Sequence, residues 1–184
     1  QNTSPVKHTH QFKDTLFFLS NMYPAPIKMS LEFIPIEKVE YYQKFFLFDN
    51  CWYPATENLY QALKNRFVAG RYDFRYINPF ASKARGKAIM KSDVRFGWSS
   101  DRLIAMELVI DLKFSQHPNL IERLIQVPDE EIIEWNTWGD IFWGKCIKTQ
   151  RGTDHLGRIL REKKQLLLLF IKQMEIINES SYNY

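Results

Sequence analysis

A chain of 184 residues fits one compact domain better than two, and 45% hydrophobic residues can fill a core with no disulfide or metal staple. The net charge of +4 favours an anionic partner such as a phosphate-bearing ligand or nucleic acid, although one or two solvated lysines would produce the same balance. No apolar run approaches the roughly 18 residues of a membrane span, and Cys51 and Cys146, far apart and without metal-ligand spacing, read as free thiols in a reducing compartment.

Residues 1–14 are polar and expected to be a flexible segment, with a processed N-terminus lacking both Met and an apolar signal core. Phe17 to Asn21 is a short apolar run with the look of a buried strand, ended by the turn-forming Tyr23-Pro24-Ala25-Pro26. Ile27 to Ile36 and the aromatic Lys44 to Asp49 read as further strands, with the polar Glu37 to Gln43 as their hairpin connection. At Thr56 the period changes: Leu59, Leu63 and Phe67 recur at i, i+4 and i+8, which predicts a helix capped by Thr56 and ended by Gly70. Asn78-Pro79 opens a second helix through Met90, and Ser99-Ser100-Asp101 a third carrying Leu103, Met106, Ile110 and Phe114. A short helix over Asn119 to Gln126 and a strand over Glu131 to Trp135 follow. A long amphipathic helix is then expected from His155 to Ile177, with a flexible tail over 179–184. Strands lead and helices follow, so the fold class is α+β, largely helical, with one compact domain over 15–178.

Two constellations stand out for chemistry. Glu57, Gln61 and Lys64 lie at i, i+4 and i+7 on one helix face, with Tyr60 at the edge. A carboxyl, an amide and an amine so aligned can hold a sugar and exchange protons with it, and a desolvated lysine can attack a carbonyl carbon. The same spacing also describes a solvated face with weak Glu–Lys pairing, and spacing does not decide between them. The second segment runs from Glu134 to Gly144 and holds three of the five tryptophans. Gly139 and Gly144 near Asp140 allow close approach to a ligand, Trp138 or Trp143 can stack on a base, and Asp140 can orient ribose hydroxyls. A tryptophan-rich core turn whose aspartate bonds local amides accounts for it equally well.

Two weaker signals remain. Lys83, Arg85, Lys87, Lys91 and Arg95 crowd around Gly86 and can collect a phosphate, or form a solvated face. Gly152 to Arg158 enters a helix, where free N–H groups suit an anion and Asp154 suits an N-cap. His8, His10, His117 and His155 are scattered and form no zinc signature.

Four motifs, in this order, resemble the NADAR family: Phe18-Leu19-Ser20-Asn21-Met22-Tyr23-Pro24, the run Tyr53 to Lys64, Asp140-Ile141-Phe142-Trp143-Gly144, and Leu156-Gly157-Arg158-Ile159-Leu160. The likeness spans Phe17 to Arg161, and Met106, Lys113-Phe114 and His117-Pro118 also resemble the family's middle helix. It implies a compact, largely helical α+β domain of the NADAR type that cleaves a bond between ribose C1 and nitrogen, with no metal and no cofactor. By position it implies catalytic roles for Lys64, Glu57 and Asp140. Substrate contacts would come from Asn21, Tyr60, Gln61, Trp138, Trp143, Gly144 and Arg158.

The resemblance points to removal of ADP-ribose from guanine in DNA or RNA, by a protein of the cytoplasm or nucleus with no membrane partner. A phosphorylated ribosylamine of riboflavin synthesis is the second substrate. A silent ADP-ribose or NAD binding module, and a structural interaction protein, are the rivals from other classes. Three departures matter: Asn58 stands where the family usually has His, Asp154 where it often has Asn, and Met22 where it has an aromatic. Asn58 cannot act as an acid or base at neutral pH, and Asp154 would repel a phosphate that it faced.

Overall fold

Helix α2, Thr56–Leu63, is the element around which the rest is most easily understood, since every one of its residues is buried. It starts without a side-chain cap on Ala55. Instead the Asn21 carbonyl accepts from the Glu57 N–H at 3.0 Å and from the Thr56 hydroxyl at 3.1 Å. Asn21, in a turn, thus satisfies one orphan donor of the first turn of the helix, which frees Thr56 from the capping role expected of it. The helix ends at Leu63, seven residues before Gly70, and a 3-10 stretch, Val68–Arg75, follows.

The computed structural model describes residues 12–181, and these divide into two compact units. One is Ser20–Ile121; the other joins the chain up to Leu19 with the chain from Glu122 onward. The expected flexible segment 1–14 falls almost entirely outside the described residues, as do residues 182–184 of the expected tail.

In the Ser20–Ile121 unit, β1 (Ile27–Lys28) pairs antiparallel with β2 (Trp52–Tyr53), Ile27 opposite Tyr53. Little of the expected strand content exists beyond this ribbon. The stretch read as a hairpin connection is a helix, α1 (Ile36–Gln43), whose Tyr42 is fully buried. Its hydroxyl donates to Asp111 at 2.5 Å, and Ile36, expected inside a strand, lies exposed. Nor is Lys44 to Asp49 a strand. The Leu47 and Phe45 carbonyls accept from Arg71 and Arg95, each at 2.8 Å, so guanidinium groups satisfy a backbone that has no neighbouring strand.

Helix α3 (Pro79–Ala88) begins as its sequence signals, with Pro79 at the first position and Asn78 Oδ1 accepting from the Ala81 N–H at 2.8 Å. Helix α4 (Trp98–Gln116) starts at Gly97, which takes φ 75, a left-handed conformation that glycine adopts freely. Where one apolar stripe was expected, α4 is buried nearly all round from Ala105 to Phe114, as befits a central helix. Its two buried charges are partnered: Asp111 accepts from Lys38 at 2.9 Å as well as from Tyr42, and Lys113 donates to the Ser20 carbonyl at 3.1 Å. Helix α5 (Pro118–Gln126) follows directly.

The other unit holds the rest. The Phe17 to Asn21 run, read as a strand, enters a 3-10 turn over Asp14–Leu19 that buries Leu16, Phe18 and Leu19. Arg123 covers the Phe18 ring at 4.1 Å and donates to the Thr15 carbonyl at 3.1 Å. A strand does form near the expected place, but shifted and shorter: β3 (Trp135–Asn136) pairs in parallel with β4 (Lys145–Cys146). Helix α6, His155–Ser181, runs past the boundary at 178 expected for the domain. Both cysteines are free thiols. Among the described residues no helix is long and apolar enough to cross a membrane.

Candidate active site

Along α2, Gln61 Nε2 donates to Glu57 Oε1 at 2.8 Å, and both side chains are buried. Burial pushes the Glu57 carboxyl above its usual range; the Gln61 bond and the charges of Lys83 and Lys87 oppose that shift without cancelling it. A buried carboxyl of this kind retains its proton further toward neutral pH, where it can be delivered. One turn on, Lys64 donates from Nζ to the Gly86 carbonyl at 2.8 Å. Desolvation lowers its ammonium below the ordinary lysine value, which raises the fraction present as free amine.

These two side chains owe their positions to one glycine. A Cβ on Gly86 would lie 2.5 Å from Gln61 Cδ and 3.0 Å from its Cγ, inside the volume the amide already fills. Helix α3 therefore approaches α2 closely only with glycine at 86. The approach brings the Gly86 carbonyl to Lys64 and packs Gln61 against Glu57. A glycine in the third turn of a helix costs about 1 kcal/mol relative to alanine, and here a packing requirement explains it. That mid-helix glycine was the sequence signal for the close approach of α3 to α2.

Asn21 belongs to the same neighbourhood through its carbonyl on the Glu57 N–H. Its side-chain Nδ2 donates to Met106 Sδ at 3.2 Å, while its buried Oδ1 has no hydrogen-bond partner. Tyr60 is buried and its ring lies 5.4 Å from that of Trp98. Asn58, the residue in place of the family's histidine, is fully buried and donates to the Phe74 and Ile77 carbonyls at 2.9 and 2.8 Å. Its work is to tie down the end of the Val68–Arg75 stretch and the chain just after it.

The remaining candidates lie in the other unit. Asp140 Oδ1 accepts from the Phe142 and Trp143 N–H groups at 3.0 and 2.9 Å, so its carboxylate shapes the loop that carries it. Asn136 braces the same loop, accepting from the Gly139 and Asp140 N–H groups, each at 3.0 Å. Gly144 is required there, since an added Cβ would meet the Glu134 carbonyl. Trp143 packs edge-on to Phe142 at 4.8 Å and Trp138 is exposed. Arg158 makes a two-pronged contact with Glu162, at 3.0 Å to each oxygen.

Asp154, expected to trouble a phosphate, is almost wholly buried: its carboxylate caps α6 at the Gly157 N–H (3.2 Å), accepts from the Glu134 N–H (3.0 Å) and pairs with Arg161 (3.0 Å). Its role is to hold the helix start to the segment before β3. The expected site residues thus fall into two sets, Asn21, Glu57, Tyr60, Gln61 and Lys64 in one unit and Trp138, Asp140, Trp143, Gly144 and Arg158 in the other.

A mostly helical α+β scaffold thus carries a protonatable carboxyl, an amide and a desolvated amine along one buried helix, an arrangement able to hold a polar ligand and exchange a proton with it. The chain belongs to the NADAR family, whose domain model matches residues 7–168. In fold it is similar to the E. coli protein YbiA, known from an NMR structure, at 22% identity over 93% of each chain with a TM-score of 0.63. No curated protein matches it. Family membership supports a glycosidase-like role in general.

Proposed function

We propose that the protein is an N-glycosidase that hydrolyses the bond between ribose C1 and nitrogen, with ADP-ribose on guanine in nucleic acid as its substrate. The observation that carries this is the pairing, on buried α2, of a carboxyl pushed up by desolvation with an amine pushed down by it. Cleavage of an N-glycoside needs a proton for the leaving nitrogen and a means of holding C1 while the bond breaks. Glu57 supplies the proton. Lys64 attacks C1 of the ring-opened ribose, the guanine amine leaves with the Glu57 proton, and water hydrolyses the resulting Schiff base to free the sugar and regenerate the amine. Gln61 orients Glu57, and Asn21 Oδ1, a buried acceptor without a partner, fits a ribose hydroxyl.

For Asp140 and Trp143 the proposal rests on the family resemblance, with Asp140 orienting ribose and Trp143 lying against the base; Tyr60, Gly144 and Arg158 are proposed as further substrate contacts on the same ground, and Trp138 as a ring able to stack on a base. No cofactor enters the scheme. A phosphorylated ribosylamine is the alternative substrate, because it presents the same C1–N bond. A silent binding module for ADP-ribose or NAD is the alternative from another class, and the opposed shifts of Glu57 and Lys64 disfavour it.

The test is incubation with a guanine-ADP-ribosylated oligonucleotide, followed by mass spectrometry, for wild type and Lys64→Ala. Release by wild type, its loss in Lys64→Ala, and borohydride trapping of sugar on wild type are expected. Release that is undiminished in Lys64→Ala would refute the nucleophile; tight ligand binding with no turnover by wild type would refute the enzyme.

A further inference from the structure

Positive charge is distributed very unevenly along this chain. Residues 66–95 contain eight lysines and arginines against two aspartates, a net of +6, whereas the whole chain carries +4. Arg71 and Arg95 are spent on internal pairs with Asp49 and Asp101. Arg66, Arg75, Lys83, Lys87 and Lys91 lie on the surface or half-buried, as does Arg85, which pairs with Asp73.

The same stretch exposes aromatic rings, and arginines lie over them. Arg66 sits 5.2 Å from the Phe67 ring centre and 4.5 Å from that of Phe96, a side chain 78% exposed. Arg75 sits 4.6 Å from Tyr72 and 5.6 Å from Tyr76, which is 68% exposed, and those two rings are 5.1 Å apart. Between the two clusters opens a cavity of about 590 Å³, lined by Asn65, Gly70, Tyr72, Asp73, Arg85 and Asp93 among others. Tyr72 joins it to one cluster. Asp93 joins it to the other, its carbonyl accepting from the Arg66 N–H at 2.7 Å. A Cβ on Gly70 would lie 3.0 Å from Asn65 Cγ, so glycine keeps this wall open.

Large exposed rings cost solubility and do nothing for the core; arginines over them make flat, cationic platforms. Rings with interleaved cations are what a single strand needs, since unpaired bases stack on the rings while phosphates meet the cations. A double helix hides its base faces and could use only the charge. The cavity has the volume for a nucleobase. Its carboxylates, Asp73 (paired with Arg85) and Asp93, suit the N–H groups of a base rather than a phosphate.

We infer that the face built from the Val68–Arg75 stretch, α3 and residues 89–96 binds single-stranded nucleic acid, with one base entering the cavity beside Tyr72. This rests on the reading above that the guanine is carried by nucleic acid, and it specifies a single strand as the carrier.

The test uses an unmodified, labelled single strand of about 12 nucleotides, within the span such surfaces cover, and reads fluorescence anisotropy with the full chain. Wild type should bind it in preference to the matching duplex. Raising salt from about 50 to 200 mM should weaken binding about 50-fold if four cations meet phosphates. Tyr72→Ala with Phe96→Ala, both exposed side chains, should weaken binding by about 10-fold or more with an unchanged melting temperature. Equal affinity for duplex, equal affinity for an abasic strand, or an unaffected double variant would overturn the inference.

Failure of the enzymatic reading looks different. Strand binding without release from the modified oligonucleotide would sink the glycosidase alone. Release from an ADP-ribosylated guanine nucleoside without strand binding would sink this inference alone.

Discussion

Gly86→Ala sets two physical effects against each other on one atom. Helix propensity favours alanine over glycine within α3 by about 1 kcal/mol, so a surface view predicts a more stable protein. The structure predicts the reverse, because the new methyl would occupy space held by the Gln61 side chain, 2.5 Å from its Cδ and 3.0 Å from its Cγ. Gln61 sits in a buried helix face and has to leave its present rotamer, giving up its 2.8 Å bond to Glu57. Overpacking of this kind costs about 1–3 kcal/mol, and subtracting the propensity gain leaves a net loss of about 1 kcal/mol. For a chain of this size that lowers Tm by about 2–4 °C. Product release should fall much further than stability, since both Glu57 and the Lys64–Gly86 contact are disturbed. Thermal melts and the release assay are run together, and a double variant closes the argument. In a Gln61→Ala background the clash is gone, so Gly86→Ala should become stabilising by about 1 kcal/mol. A Gly86→Ala protein that melts higher than wild type and keeps full activity would refute the claim that glycine at 86 sets the α2–α3 approach.

Two further outcomes follow from the geometry. The Glu57 carboxyl is raised in the folded chain, so its protonated form contributes stability that is complete below the usual value of 4.5 and is lost as pH rises through the folded one. Glu57→Gln should therefore gain Tm relative to wild type as pH rises from 4.5 upward, and melting curves that stay parallel across this range would contradict a buried proton there. Asp154→Ala removes the cap of α6 and the partner of Arg161 from a backbone position with φ 55 that alanine dislikes. A loss of about 3 kcal/mol, read by denaturant unfolding, is expected, with a smaller loss for Asp154→Asn, which keeps an acceptor and tolerates that φ; an Asp154→Asn protein as stable as wild type would refute the ion pair.

Helices were legible where their signals are local. Asn78-Pro79, the periodic run to Phe114, Pro118 and the amphipathic pattern from His155 each mark a helix by steric or capping rules that act within a few residues, and each helix is there. The i, i+4, i+7 stripe of Glu57, Gln61 and Lys64 was legible for the same reason, because helical geometry alone puts those side chains on one face. Strands were not. Lys44 to Asp49 is aromatic enough to be one, but a strand needs a neighbour, and Arg71 and Arg95 from distant sequence take its carbonyls instead. Whether the α2 stripe is a wet face or a buried site also lay beyond periodicity. That depends on α3 closing over it at Gly86, which meets Lys64 and Gln61 from 22 and 25 positions away in the chain. Desolvation by that packing gives Glu57 and Lys64 their opposed shifts, and burial is a property of the assembled fold, not of any spacing within one helix.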